Sequence, residues 1–304
     1  NNGAIGVINS SAVIDDVSFA GTHRRMVYGN NASLVVRNSD FPDMFAEDED
    51  PAVLGLDNIS EQIKIVGRPP ADGQLIIQNN VFGSNKGHND VIDADSNRVT
   101  AGPILQILDN VFAGAGDELL DLGGDVYVAG NLFRNVSKDD STSDRGYANA
   151  ISTGDAGANT TIVVARNVFY DVDHAINLKR NAATIFENNT VVKVHPDFLD
   201  RFDNPSVASA INFYVDEPGA TFGKGAYAAG NIFWDTPRVF GNVDLPADRA
   251  NTALQLEHNL LSPEVAQAPV GERGITTQEL GIGNVIGDPR IADPSRDDFS
   301  LQTG

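Results

Sequence analysis

Polar side chains recur at two fixed positions of a short apolar phrase that the chain repeats five times. The first position holds Asp90, Glu118, Asn149, His174 and Ser209, and the second holds Asp93, Asp121, Ser152, Asn177 and Asn212. The five phrases align without gaps on their apolar residues. If each phrase is a strand and the strands stack in register, the residues at each position form a column along the stack. We call these two columns the polar files, and we expect them side by side on one outer face.

Five carboxylates concentrate at one end of the polar files. They are Asp90, Asp93, Asp117, Glu118 and Asp121. Neighbouring strands of a sheet lie about 4.7–4.9 Å apart, so these side chains would repel one another unless a cation neutralised them. Ca²⁺ takes about 6 to 8 oxygen ligands in irregular geometry, so the crowding predicts a Ca²⁺ site that Asn149 and Ser152 could complete. The alternative is an ordinary solvated strand face.

Side chains suited to base chemistry follow the carboxylates. The candidate catalytic residues are Lys179, Arg180, His174 and Arg145, and the candidate sugar contacts are Asn149, Asn177, Tyr147 and Tyr214. Lys179 directly follows an apolar phrase and aligns with Gly123 two phrases earlier, which would bring it close to the acidic residues. A lysine that only compensates neighbouring carboxylates is the alternative interpretation.

A second repeat shows which elements must position these residues. An Asn, one residue and then an aromatic recur at Asn80-Val81-Phe82, Asn110-Val111-Phe112, Asn131-Leu132-Phe133, Asn167-Val168-Phe169 and Asn231-Ile232-Phe233, with weaker copies at Asn38, Asn189 and Asn259. The shortest spacing, 21 residues, is too short for a helix pair, and β-branched phrases such as 161–164 predict strands. We therefore predict an all-β, right-handed parallel β-helix with stacked Asn and Phe side chains.

The longer intervals between copies predict loop insertions at 41–73, 137–147 and 194–205, which in a solenoid tend to emerge on one face. We expect β-helix coils over residues 1–262 and an irregular closing segment of the same domain over 263–304. The closing segment and the opening residues also suggest a piece of a longer parent chain with further domains.

Composition excludes several functional classes. A formal charge of −21, from 42 acidic and 21 basic residues, disfavours binding to nucleic acid phosphates. The chain contains no Cys, so disulfides, thiolate nucleophiles and Cys-based zinc sites are excluded. No apolar run reaches the roughly 18 residues of a membrane helix, so we expect no membrane insertion. We expect a secreted or cell-surface protein of bacterial type.

The run Asp117-Glu118-Leu119-Leu120-Asp121, with an acidic residue one coil earlier and Lys179 later, resembles the calcium site of polysaccharide lyase family nine, the β-helical pectate lyases. Family six is a more distant resemblance. The resemblance implies that Asp117, Glu118, Asp121 and Asp90 or Asp93 bind Ca²⁺ and that Lys179 is the Brønsted base. The chain departs from the family pattern at Glu118, at Leu119 and in the two-coil distance to Lys179.

These observations predict a secreted, calcium-dependent polysaccharide lyase that cleaves uronate-containing chains by β-elimination. A β-helical glycoside hydrolase is an alternative, with Asp93 and Asp121, or Glu118 and Asp173, as the carboxylate pair. A non-catalytic surface or adhesion module that binds glycan is the other alternative. An enzyme should show converging acid, base or metal residues beside a groove, whereas a non-catalytic spacer should show an open, solvated face.

Overall fold

The computed structural model describes residues 3–21, 25–44, 61–85, 90–95, 104–138, 147–153, 160–196, 198–199, 205–206, 208–213, 223–243 and 252–302. These residues form three parallel sheets of nine strands each, so that the chain winds through one strand of each sheet in every full coil. The arrangement confirms the predicted parallel β-helix and is consistent with a right-handed solenoid. Arg145 and Tyr214, two predicted site residues, lie outside the described residues.

Strands are numbered in chain order. Sheet I contains β1 (Gly3–Ile8), β3 (Arg25–Asn30), β6 (Ile63–Val66), β9 (Ile92–Asp95), β12 (Glu118–Gly123), β15 (Asn149–Ser152), β18 (His174–Asn177), β23 (Ser209–Asn212) and β26 (Phe240–Gly241). Sheet II contains β2 (Ser11–Asp15), β4 (Ser33–Arg37), β7 (Leu75–Gln78), β10 (Leu105–Leu108), β13 (Val126–Ala129), β16 (Thr161–Ala165), β19 (Ala183–Glu187), β24 (Gly225–Ala229) and β27 (Ala253–Glu257). Sheet III contains β5 (Asp40–Phe41), β8 (Val81–Phe82), β11 (Val111–Phe112), β14 (Leu132–Val136), β17 (Val168–Val172), β20 (Thr190–Val194), β25 (Ile232–Trp234), β28 (Leu260–Leu261) and β31 (Val285–Ile286).

The connections between sheets differ in length. Every connection from sheet II to sheet III is two residues, for example Asn79-Asn80, and its first residue has a positive φ. Asn, Asp and Gly occupy most of these positions because they tolerate left-handed backbone, although Arg166 and His258 also adopt it. The longer connections all flank sheet I. The predicted insertion over 41–73 is wrong in part, because it contains strand β6 of sheet I.

An amide ladder runs along the corner between sheets II and III. Its members are Asn80, Asn110, Asn131, Asn167, Asn189, Asn231, Asn259 and Asn284, and each Nδ2 donates to Oδ1 of the next at 2.9–3.1 Å. Asn38 is not a member, contrary to the alignment. It occupies the left-handed corner position, and Ser39 holds the ladder position by donating its N–H to Asn80 Oδ1 at 3.0 Å. Asn284 extends the ladder beyond the predicted copies.

Phenylalanines stack inside the coils beside this ladder. The rings of Phe19, Phe41, Phe82, Phe112, Phe133 and Phe169 follow one another with centroids 4.6 to 4.9 Å apart. The next coil has Val191 at the stacking position, and Phe186 from sheet II fills the space at 5.7 Å from Phe169. The core is therefore continuous along the axis even where the sequence repeat is weak.

The segment after residue 262 is less regular. It contains helix α1 (Pro263–Gln267), 3-10 turns at Gly271–Arg273, Thr277–Leu280 and Pro294–Arg296, and two antiparallel hairpins. The hairpins pair β29 (Pro269–Val270) with β30 (Ile275–Thr276) and β32 (Ile291–Asp293) with β33 (Asp298–Leu301), and β21 (Phe198–Leu199) pairs with β22 (Pro205–Ser206) in the same way. Among the described residues, no helix has the length and apolar character needed to span a membrane.

Candidate acidic site on sheet I

The register of sheet I matches the gap-free alignment of the two polar files. Glu118 pairs with Asn149, which pairs with His174, which pairs with Ser209. The second file runs Asp93, Asp121, Ser152, Asn177 and Asn212 in the same way. Spacing in the sequence thus correctly identified which residues share a position on successive coils.

Burial of the files differs from the expected solvated face. Asn149, Ser152, His174, Asn177, Ser209 and Asn212 are all between 0% and 4% exposed. Asn212 Nδ2 donates to Asn177 Oδ1 at 3.3 Å, so these two amides satisfy part of each other's hydrogen bonding. Asn149 Oδ1, Ser152 Oγ and Ser209 Oγ are buried without a hydrogen-bond partner, which is costly for a polar atom and is typical of a site that receives a ligand or water.

Three carboxylates converge where the chain enters sheet I on two adjacent coils. Asp90, Asp117 and Glu118 each offer an oxygen, and these oxygens all lie within 4.8 Å of one another. We call these three residues the acidic cluster. All three are half-buried. Asp121 lies near enough to act electrostatically on Asp90 and Glu118, whereas Asp93 forms an ion pair with Lys64 on the preceding coil.

The electrostatics of the acidic cluster favour a proton or a cation. Burial raises the pKa of Asp90 well above its usual range, and the charges of Asp121, Glu118 and Asp117 raise it further. Burial and the adjacent Asp117 carboxylate likewise raise the pKa of Glu118, which the Lys179 ammonium partly opposes. Like charges held close in a poorly solvated place disfavour full ionisation. Without a bound cation, the cluster therefore retains protons to a higher pH than ordinary carboxylates.

Two lysines contact the acidic cluster from different coils. Lys138 Nζ lies 2.7 Å from Asp117 Oδ1, and Lys179 Nζ lies 3.8 Å from Glu118 Oε1. Lys179 lies just beyond the end of β18, two coils from Glu118. Its side chain nevertheless reaches Glu118, as the alignment predicted. Lys138 and Lys64 were not among the predicted residues. Lys64 is the direct cross-strand neighbour of Asp93, which recognition of β6 as a strand would have revealed.

Asn149 links the acidic cluster to the buried part of the first polar file. Its Nδ2 donates to Glu118 Oε1 at 3.1 Å and to the carbonyl of Tyr147 at 3.1 Å. Its Oδ1, on the same small amide, has no partner. Carboxylate oxygens are the ligands that a hard divalent cation prefers, so the chemistry of the acidic cluster is compatible with such a cation.

Most of the remaining predicted catalytic and sugar-binding residues that the structure describes are buried. His174 is fully buried, with Nδ1 3.0 Å from the carbonyl of Ser209 and its ring edge-on to Tyr147. Tyr147 is 8% exposed and Asn177 is 4% exposed, so neither presents much surface to a sugar. Arg180 occupies a left-handed position at the turn after Lys179. The structure thus brings Lys179 and Asn149 to the carboxylates and buries His174 and Asn177.

His195, which sequence reasoning missed, contacts two aspartates beside this site. We call His195 and Asp173 the histidine clamp. His195 Nδ1 lies 2.7 Å from Asp173 Oδ1, and its Nε2 contacts Asp171. The other oxygen of Asp173 accepts the backbone N–H groups of Lys138 at 2.9 Å and Ala148 at 3.3 Å. Asp173 therefore holds the backbone beside Lys138 and Asn149. His195 falls in a predicted insertion, and only the coil register brings it to Asp173.

Replacing Asp173 with alanine is expected to reduce the free energy of unfolding by about 1–3 kcal/mol, because two backbone N–H groups lose a buried acceptor. The hydrogen bond to Asp173 raises the pKa of His195. The stabilisation from a raised histidine pKa is complete below about pH 6.5 and disappears as pH rises through the folded-state value. Thermal melts should therefore separate Asp173→Ala from wild type more widely at acidic than at alkaline pH.

The exposed strand residue Asp40 provides the matched control for this prediction, and Asp40→Ala should change stability little at either pH. An equal loss for Asp173→Ala at both pH values would show that His195 does not contribute through its charge.

Comparison with known proteins adds no relative. No protein-family model, no curated protein and no solved structure matches this chain. The parallel β-helix is therefore established by the strand register alone, and the resemblance to polysaccharide lyases depends on the residues of the acidic site.

Proposed function

We propose that this protein is a calcium-dependent polysaccharide lyase that acts on uronate-containing chains, with the acidic cluster as the cation site and Lys179 as the base. One observation carries the proposal. Carboxylates from two adjacent coils converge within 4.8 Å, and an ammonium from a third coil contacts them. Candidate cation ligands and a candidate base therefore lie together on sheet I, the sheet that the longer connections flank.

Bound Ca²⁺ would supply positive charge that attracts the uronate carboxylate and stabilises negative charge developing beside it. The chain's own residues do the rest. A neutral Lys179 takes the proton from C5 of the uronate, the electrons of that C–H bond form the C4–C5 double bond, and the C4–O bond to the leaving sugar breaks. A lysine works as a base only where nearby positive charge or burial favours its neutral form.

Asn149 and Lys138 have positioning roles in this proposal. The Asn149 amide orients Glu118 by a 3.1 Å hydrogen bond, and its Oδ1, which has no hydrogen-bond partner, would be a further candidate oxygen ligand. Lys138 Nζ lies 2.7 Å from Asp117 Oδ1 and compensates the charge of that carboxylate. Lys179 Nζ lies 3.8 Å from Glu118 Oε1, and a cation bound by the acidic cluster would weaken this attraction and favour the neutral form of the lysine.

A secreted or cell-surface location follows from the same proposal. Cation sites in extracellular modules work with dissociation constants of about 10⁻⁴–10⁻³ M, which suits a site made of only a few protein oxygens. A formal charge of −21 keeps such a protein soluble, and bound cations reverse the local field that would otherwise repel an anionic polysaccharide.

The test incubates the full chain with polygalacturonate, alginate and chondroitin in the presence of Ca²⁺ or a chelator. Ultraviolet absorbance of unsaturated uronate and newly formed reducing ends are both recorded. We expect both signals on at least one substrate with Ca²⁺ and neither with chelator. Reducing ends without the absorbance would replace elimination by hydrolysis. Binding to the polysaccharide without either signal would favour the non-catalytic alternative.

Calcium should also stabilise the fold. At a free concentration about 100-fold above the dissociation constant, a ligand specific for the folded state adds about 2.7 kcal/mol. In chelator, the raised pKa values of Asp90 and Glu118 mean that the folded state holds more protons than the unfolded chain. Stability should then fall as pH rises from the unfolded pKa, near 4, through the raised values. Calorimetric melts in Ca²⁺ should not show this fall.

Glu118→Gln should remove most of the Ca²⁺-induced shift in melting temperature and reduce the pH dependence in chelator. Asp40→Ala, outside the site, should keep both effects. Identical melting temperatures in Ca²⁺ and chelator at neutral pH would disprove a cation site in the acidic cluster.

A further inference from the structure

A cleft of about 720 Å³ lies between sheet III and the closing segment. Sheet III lines one side of the cleft with Tyr170, Lys193 and Trp234. The closing segment lines the other side with Glu264 of helix α1, Arg290 and Gln302. The volume is that of a site for a small molecule or a few sugar units. None of its residues takes part in the acidic site.

The aromatic residues of the cleft are spaced by the sheet register. Tyr170 pairs with Val192, which pairs with Trp234, so the two rings project from equivalent positions two strands apart. Two strand spacings are about 10 Å, a distance that a disaccharide spans. Tyr170 is held in place by Phe299, whose ring meets it edge-on at 5.7 Å, and by Lys193, whose Nζ lies 5.7 Å from the ring centroid. The Tyr170 ring, held in this way, is a preorganised platform for the apolar face of a pyranose ring.

The charged residues that line the cleft favour an uncharged saccharide over an anionic one. Four carboxylates line it, from Asp235, Glu264, Asp288 and Asp293, against two cationic side chains, Lys193 and Arg290. One of the cations is already compensated, because Lys193 Nζ lies 2.9 Å from Asp171 Oδ2. The cleft is therefore net acidic and repels uronates and sulfated sugars. Carboxylate, amide and guanidinium groups around an aromatic floor suit the hydroxyl groups of an uncharged sugar, which both donate and accept hydrogen bonds.

We infer that this cleft binds a neutral oligosaccharide, at a site separate from the acidic cluster. Trp234 and Tyr170 stack against sugar units two positions apart along the oligosaccharide, and Asp235 and Glu264, both solvent-exposed, accept hydrogen bonds from hydroxyl groups. The inference does not depend on the proposed lyase activity. It assigns the protein a second binding surface, which prefers uncharged ligands. This surface would bind a neutral glycan while the acidic site acts on a uronate-containing polysaccharide.

Trp234 makes the site directly observable, because it is the only tryptophan of the 304 residues. The full chain is titrated with neutral gluco-, xylo-, manno- and galacto-oligosaccharides while tryptophan fluorescence is recorded. We expect a saturable change with at least one of them and none with oligogalacturonate. Tyr170→Ala should weaken binding about tenfold or more, equivalent to about 1.4 kcal/mol. Tyr227→Ala, an aromatic change on sheet II, and Glu118→Gln, in the acidic cluster, should leave the affinity unchanged.

Trp234→Ala removes the fluorescent reporter, so its binding is measured by retardation in gels that contain the matching neutral polysaccharide. We expect this variant to lose retardation while its circular dichroism spectrum stays that of wild type. No saturable signal with any neutral sugar, equal affinity for oligogalacturonate, or unchanged affinity in Tyr170→Ala would each overturn the inference.

Discussion

Replacing Asn131 with alanine is expected to lower the free energy of unfolding by about 3–5 kcal/mol, near the upper limit for a single substitution. Asn131 Oδ1 accepts both the backbone N–H and Nδ2 of Asn110, at 2.9 and 3.0 Å. Its Nδ2 donates in turn to Asn167 Oδ1 and to the carbonyls of Ile107 and Ala129. Alanine deletes all of these bonds and leaves buried donors on Asn110, which is 1% exposed.

Chemical and thermal unfolding followed by circular dichroism would measure the loss. Asn131→Asp is an informative companion, because it keeps the acceptor and places a charge in a buried amide ladder; we expect it to be at least as destabilising as alanine. Gln106→Ala supplies the matched control, since this amide lies on sheet II of the neighbouring coil and is half-buried. A change below about 0.5 kcal/mol is expected there. Equal effects in Asn131→Ala and Gln106→Ala would mean that the ladder contributes no more than a surface amide.

Replacing Lys179 with alanine is expected to reduce elimination by about 10²-fold or more, the usual contribution of a positioned general base. Glu118 Oε1 lies 3.8 Å from Lys179 Nζ and so ties the ammonium to the acidic cluster. Initial rates on the substrate found with wild type, together with calcium titrations monitored by melting temperature, would separate loss of the base from loss of the cation. We expect the rate to fall and the calcium shift to remain.

Lys224 is exposed and directly precedes strand β24 of sheet II, so Lys224→Ala should retain the wild-type rate and show that loss of a positive charge alone is not responsible. Lys179→Arg keeps the charge but not a side chain that deprotonates readily, so it should resemble alanine in rate. Full activity in Lys179→Ala would exclude Lys179 as the base. Full activity in Lys179→Arg would show that the residue acts only through its charge.

Much of the fold follows from local pattern. The recurrence of Asn-x-Phe predicts the ladder and the aromatic stack because each coil must repeat the same corner for its strand to pair in parallel with the next. Errors occurred where the pattern is weak. Asn38 was placed in the ladder although Ser39 occupies that position, and β6 was hidden in a predicted insertion. Strand length does not explain the second error, because β7, β9 and β15 are equally short; β6 lies outside the five aligned phrases, and Gln62 stands where those phrases have an apolar residue.

The acidic site was predicted less completely than the fold. Alignment of the phrases identified Asp90, Asp117 and Glu118 as neighbours, since register converts a match in sequence into a position in space. Lys138 and the contact of His195 with Asp173 were missed because Lys138 and His195 come from connections whose paths no repeat describes, although Asp173 itself opens one of the aligned phrases. Burial was misjudged for the same reason: the pattern shows which residues share a file but not what packs over it.

By itself, the sequence determined the repeat, the strand type, the order of the two polar files and the excess of negative charge, because these depend on residue spacing and composition. Only the tertiary structure decided that three carboxylates meet within 4.8 Å, that Lys138 and Lys179 reach them, and that the rest of the files is buried. The physical reason is that contacts across coils depend on side-chain length and direction as well as register. The cleft beside Trp234 is likewise a product of how the closing segment packs on sheet III.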